Sequence, residues 1–190
     1  MPGQTSPSPQ SGSRPGGRSA RIRAAVHGAV GDLVADGDGE PLTIPVVAAR
    51  AGVHATTVYR RWGSVADLLA DVASSRFTGD LVVPDTGSLR GDLERYASDL
   101  AKDLGDPDTL ALVRATISAG GGQGAAVCSG ERQQTLDAVL ERERARGQLP
   151  PTLERATDAV LAPLYYRAVF TSLPLTPEWT RELVSNLLRD

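Results

Sequence analysis

Cysteine is almost missing from this chain: Cys128 stands alone in 190 residues, so no intrachain disulfide can form. Histidine is nearly as scarce, and neither His27 nor His54 stands among cysteines or acids at metal-ligand spacing. No metal and no cofactor are expected. Lysine is reduced to Lys102 among twenty cations, the other nineteen being arginine, which favours planar, bidentate contacts. No run approaches the roughly 20 consecutive apolar residues that span a bilayer. Residues 1–17 are rich in Pro, Ser and Gly and lack an apolar run. They are expected to form a disordered arm rather than a signal peptide or anchor, and the expected compartment is the cytoplasm. Gly120-Gly121-Gly122-Gln123-Gly124 lacks the Lys-Ser/Thr ending of a phosphate loop, and no strand precedes it. A flexible connection is expected there. Cys128 has no base beside it in sequence and reads as an inert small residue. Nothing in the chain reads as catalytic.

What is present is a globular composition, 41% apolar and 23% charged, of a length that fits one or two domains. The net charge of −3 is unevenly spread. Residues 1–76 carry +2 and the remainder −5, a basic head on an acidic body. Attraction to phosphate depends on the surface that faces it, so the distribution matters more than the sum.

The periodicity is helical almost throughout, with no strand pattern, internal repeat or heptad run. Ile22, Ala25, Val26, Ala29, Val30, Leu33 and Val34 recur at steps of three and four and predict a helix from about 18–20 to 35. Asp36-Gly37-Asp38-Gly39 breaks it. Thr43 is an N-cap for a second helix, Ile44 to Arg50, with Pro45 in its first turn and Gly52 where it must stop. A third helix follows, Ala55 to Trp62, and a fourth after Ser64 with a stripe of Val65, Leu68, Leu69 and Val72. Residues 78–87 read as a linker. Beyond it lie Leu89 to Leu104, a helix opened by Pro107 and ending at Gly120, another from about 125 or 131 to 146 closed by Gly147, an apolar segment within 152–172, and a last helix after Thr176. Pro163 is expected to kink the apolar segment.

The stretch from Thr43 to Trp62 has helix-turn-helix spacing. A small Ala48 lets two helices approach, Gly52 makes the turn, and Val53 and Val58 plug the space between them. An αα-corner inside an ordinary bundle has the same spacing. The outer face of the third helix argues against that alternative. Ala55, Thr56, Thr57, Tyr59, Arg60 and Arg61 are small, hydroxylic or cationic, which suits a helix entering the major groove. Threonine hydroxyls and Ala or Thr methyls can meet base edges, while Tyr59 and arginines can reach phosphates.

On Leu42-Thr43-Ile44, Ala48-Ala49-Arg50-Ala51-Gly52-Val53, Thr57-Val58-Tyr59-Arg60-Arg61-Trp62 and Ser64-Val65-Ala66-Asp67-Leu68 the chain resembles the DNA-binding domain of the tetracycline-repressor (TetR) family. The likeness covers about a third of the chain, from 18 to 77. Ala162-Pro163-Leu164-Tyr165-Tyr166-Arg167 is similar to the dimerisation helix of one branch. The resemblance implies an all-α protein with a helix-turn-helix DNA-binding domain of three to four helices at 18–78. It also implies a helical ligand-binding and dimerisation domain at 88–190. It implies a homodimeric, ligand-responsive repressor on a palindromic operator in double-stranded DNA, and no enzyme. Thr43 and Tyr59 would contact phosphates, Ala55 to Thr57 bases, and Arg60 and Arg61 either; Trp62 and Ser64 complete the candidate set. Two positions depart from the pattern. Val65 stands where many members carry a phosphate-binding lysine, and His54 where many have a capping serine. Arg60, Arg61 or the arm's Arg14, Arg18, Arg21 and Arg23 can offset the lost cation. Such an arm either enters the minor groove or remains a solvated tail.

Leu164 and Tyr166, then Trp179, Leu183 and Leu187, are the expected dimer-interface residues, because two helices from each subunit would build a four-helix contact with two-fold symmetry. Finishing the monomer core is the other use for them. Tyr96, Arg114 and Tyr165 are the expected ligand contacts, for an effector the sequence does not identify. The rival from another class is a helical small-molecule-binding protein or enzyme whose N-terminal module makes protein contacts.

Overall fold

A computed structural model describes residues 15–36, 42–77 and 82–189, leaving out the side chains of 15–16, 76–77, 121–125 and 127–128. The expected arm up to residue 14, the break after Asp36, the start of the linker and the thiol of Cys128 fall outside that description, whereas residues 15–17, expected in the arm, are already helical. Among the described residues every regular element is helical.

Helix α1 (Pro15–Asp36) leads into α2 (Ile44–Arg50), α3 (Ala55–Trp62) and α4 (Val65–Phe77). The C-terminal part comprises α5 (Leu89–Gly105), α6 (Pro107–Ala145), α7 (Leu153–Ala156), a π-helical turn (Thr157–Leu161), α8 (Ala162–Phe170) and α9 (Pro177–Leu187). The starts follow from short polar side chains. Ser88, Asp106, Thr152 and Thr176 each accept a hydrogen bond from the backbone N–H three residues on, which satisfies one of the donors that a helix start leaves free. Gly147, at φ +80°, closes α6: its own N–H bonds to Arg144 O and that of Gln148 to Glu143 O. This is the left-handed stop that glycine makes at least cost.

The expected break at Gly120 does not occur, and α6 runs unbroken for 39 residues. A cluster of glycines lowers helix propensity by about 1 kcal/mol each, but packing supplies what propensity lacks. A Cβ placed on Gly120 would sit 3.7 Å from that of Ala66, an ordinary van der Waals distance, so α4 packs directly against α6 at this point. Farther along, Ser74 of α4 donates a hydrogen bond to Glu131 of α6. The two helices thus run side by side, and α1 leans on α6 as well.

A single apolar core extends from Val26, Val30 and Val58 through Leu68 and Leu69 to Leu93, Leu100, Leu136, Leu164 and Val184. The two modules expected from the sequence therefore share one interior. Pro163 sits within the first turn of α8 and offers no N–H to the turn before it. The helical path there widens into the π-turn instead of breaking.

Candidate nucleic-acid interface

The corner between α2 and α3 is a Schellman turn. Val53 N–H bonds to Ala48 O at 3.0 Å and Gly52 N–H to Ala49 O at 3.2 Å, with Gly52 at φ +66°. Space around Gly52 is open, since a Cβ there would meet nothing within 4 Å. Gly52→Ala is therefore expected to cost backbone strain alone, about 1 kcal/mol, read as a melting temperature lower by roughly 2–4 °C. An unchanged or higher melting temperature would contradict that account.

From this corner α3 presents two unlike faces. Val58 and Trp62, one turn apart, are buried and carry the helix onto the core. Thr56, Arg60 and Arg61 are exposed, Tyr59 is 49% exposed, and Ala55 and Thr57 are half-buried at the helix start. His54, the N-cap residue, makes no side-chain cap bond. Thr43 does cap α2, accepting from Val46 N–H at 3.4 Å. Ser64 caps α4: its Oγ accepts from Asp67 N–H at 3.1 Å and donates to Asp67 Oδ2 at 2.6 Å.

Trp62 corrects the sequence reading, because its side chain faces inward and cannot face DNA. Its indole N–H donates to Asp71 Oδ2 at 2.9 Å. The same carboxylate receives Arg23 through two nitrogens, at 3.1 and 2.7 Å, and His27 Nε2–H at 2.8 Å. One acid on α4 thus ties α1, α3 and α4 together. Burial alone would raise the Asp71 pKa, but hydrogen bonds from Arg23, Trp62 and His27, with the Arg23 charge, outweigh it and bring it to about 2.

An open groove runs between the first turns of α1 and the outer side of the corner. Arg18 and Ile22 form one wall and Ala49, Gly52, His54 and Thr57 the other, and the groove continues past Ser19 to Arg60 and Arg61. Arg61 is committed within the protein. Its Nη1 donates to Ser19 Oγ at 2.7 Å, and its guanidinium lies 5.1 Å from the centroid of the Trp62 ring. Neither the Asp71 hub nor the Ser19–Arg61 link had a sequence signal, since each joins residues about ten to fifty positions apart.

The C-terminal candidates divide differently. Tyr96 is buried and its hydroxyl donates to Arg132 O at 3.0 Å. Burial and neighbouring Tyr165 push its phenol pKa up against the opposing charge of Arg132. Tyr165 itself is half-buried. Arg114 Nη2 donates to Ala168 O at 3.1 Å and Val169 O at 3.3 Å, clasping the end of α8. Leu164 and Leu187 are corrections, because both lie inside the protomer core. Leu164 and Tyr166 stand about 200° apart around a helix and cannot share a face. Tyr166 pairs instead with Phe170, one turn on, with ring centroids 5.6 Å apart. Both are exposed, as is Leu173. Trp179 and Leu183 of α9 are half-buried, the former beneath Arg167 at 3.8 Å.

Fold and corner together define an all-helical protein of the helix-turn-helix DNA-binding class. A family model described as "Tetracyclin repressor-like, C-terminal domain" matches residues 83–187. The HTH-type transcriptional regulator AqdR of Rhodococcus erythropolis is 32% identical over 158 residues, covering 81% of this chain and 74% of its own. An uncharacterised HTH-type transcriptional regulator of Bacillus subtilis, YdeS, is 28% identical over 182 residues and 90% of each chain. The crystal structure of the TetR family transcription regulator SCO0332 superposes with a TM-score of 0.68 at 26% identity, covering 88% of this chain and 97% of that one. The chain belongs to the TetR family and is a DNA-binding transcriptional regulator. Among the described residues no helix is long and apolar enough to cross a membrane.

Proposed function

We infer that the protein is a homodimeric repressor that reads a palindromic operator with two copies of α3 and leaves it when a small-molecule effector binds the C-terminal helices. One observation carries the DNA half of this reading. An amphipathic helix stands on a glycine turn with its hydroxyl, tyrosine and arginine face outward and its valine and tryptophan inward. The outward face is no part of the core, so its composition is free to serve a partner. Thr56 and Thr57 suit base edges, and Tyr59, Arg60 and the capping residue Thr43 suit phosphates.

Dimerisation is supported by the apolar surface of α8 and the segment after it. Tyr166, Phe170 and Leu173 are 64%, 69% and 57% exposed, more than isolated surface apolar residues require when they form one patch. Two-fold symmetry would set the heads at successive major grooves, about 34–36 Å apart. An effector shifts that spacing only through unequal affinity for two arrangements of the dimer. Genome-wide mapping of bound DNA would give the operator and the regulated genes, and through them the class of effector.

Mobility shift on the DNA flanking its own coding region tests the reading. Tyr59→Ala and Arg60→Ala are each expected to weaken specific binding about tenfold or more, with unchanged helical content. Wild-type protein that binds a small molecule tightly but no duplex at low salt would sink it and favour the rival reading.

A further inference from the structure

The arginines around the α3 face are unequally available. Arg23 is bound to Asp71, Arg50 pairs with Asp36 at 2.9 Å, and Arg21 Nε folds back to Gly17 O at 3.2 Å. Arg61 is held by Ser19 and Trp62. Arg18 and Arg60 are exposed and have no hydrogen bond or ion pair among the described residues. Both line the groove between α1 and α3. Thr57 lines the groove on the α3 side, and Arg18 also borders the part of the groove reached by His54 and Gly52.

Two uncompensated guanidiniums that border one open groove repel each other unless an anion lies between or beside them. A DNA strand laid against α3 supplies such anions at regular spacing. Position 65, next to the Ser64 cap at the start of α4, is valine and offers no cation. The α3 face therefore needs a cation from elsewhere.

We propose that Arg18 of α1 is that cation: it grips a backbone phosphate across the groove from Arg60, while Arg61 is a positioning residue that fastens the first turns of α1 to α3 through Ser19. The proposal rests on α3 being the DNA-facing helix. It adds a contact made from outside the helix-turn-helix, on an element whose other cations serve the fold.

A phosphate contact has a distinct signature. Its loss weakens binding alike on all sequences and flattens the salt dependence by about one ion per head. Affinity is measured from about 50 to 200 mM salt for wild type, Arg18→Ala, Arg18→Lys and Tyr59→Ala. The probes are the DNA flanking its own coding region and a mixed-sequence duplex. Arg18→Ala is expected to bind both about fivefold more weakly with a shallower slope. Arg18→Lys is expected to restore the slope. Melting temperatures should not move, because exposed Arg18 makes no hydrogen bond or ion pair among the described residues. Unchanged affinity and slope in Arg18→Ala, beside lost binding in Tyr59→Ala, would overturn the proposal and leave α3 as the reading helix. A lysine variant as shallow as alanine would also overturn it. If neither alanine variant alters binding, the DNA-facing assignment of α3 falls too.

Discussion

Asp71→Ala is expected to lower the melting temperature by roughly 5–10 °C and to abolish tight operator binding, although Asp71 touches no part of the DNA-facing surface. The reason is the number of donors it serves. Its removal leaves the indole N–H of Trp62 inside the core without an acceptor, at about 1–3 kcal/mol. The paired Arg23 and His27 lose their anchor on α4. A total of about 2–3 kcal/mol follows, and at this chain length each kcal/mol moves the midpoint by about 2–4 °C. The effect on binding follows from geometry, because Trp62 sets the tilt of α3 and Arg23 ties α1 to the same point.

Acid should reproduce part of the effect in the wild type. The folded pKa of about 2 lies below the ordinary 3.8, so the ionised form is the one that folding favours. The stabilisation is complete above about pH 5 and is lost as pH falls through 4 towards 2. Solvent screening limits it to about 1–2 kcal/mol. Asp71→Asn keeps an acceptor for Trp62 and should fall between wild type and alanine. A melting temperature within a degree of wild type for Asp71→Ala would remove the hub from the account of α3 orientation.

Tyr166→Glu combined with Phe170→Glu is the second large change. Both side chains are exposed and their rings pair with each other, so the protomer should fold with unchanged circular dichroism. If this patch holds two copies together, sedimentation will show monomers where the wild type is a dimer. Operator affinity should then fall at least about a hundredfold, since each head must find its half-site alone instead of at the effective concentration set by its twin. A variant that remains dimeric, or a monomer that keeps full affinity, would remove α8 from the interface.

Much of the head is legible in the sequence. Thr43, Pro45, Gly52 and Ser64 are local signals, and the bounds of α2 and α3 agree with them. The apolar spacing of Val58 and Trp62 marks the inner face, and the structure takes Trp62 out of the candidate DNA contacts. The acceptor that fixes its indole N–H inside the protein lies nine residues away on another helix. Long-range partners also explain the other differences. Gly120 and the glycines after it are poor helix formers, while α4 packs along α6 from Ala66 at Gly120 to Ser74 at Glu131, a support that no local signal announces. Leu164 and Leu187 could be assigned to core or interface only once the packing of α8 and α9 was known. The free state of Arg18 is likewise invisible in sequence, because it depends on where the other arginines find acids.

The length of α6 has a further consequence. At 39 residues it extends about 58 Å and touches the head through α4 and α1, and the rest of the chain through α5 and α8. The head is therefore not a detachable cartridge. A fragment stopping at Phe77 would expose the flank of α4 where Ala66 and Ser74 rest on α6. Grafting this reading head onto a relative's effector module would require the seam around Gly120 and Glu131 to travel with it.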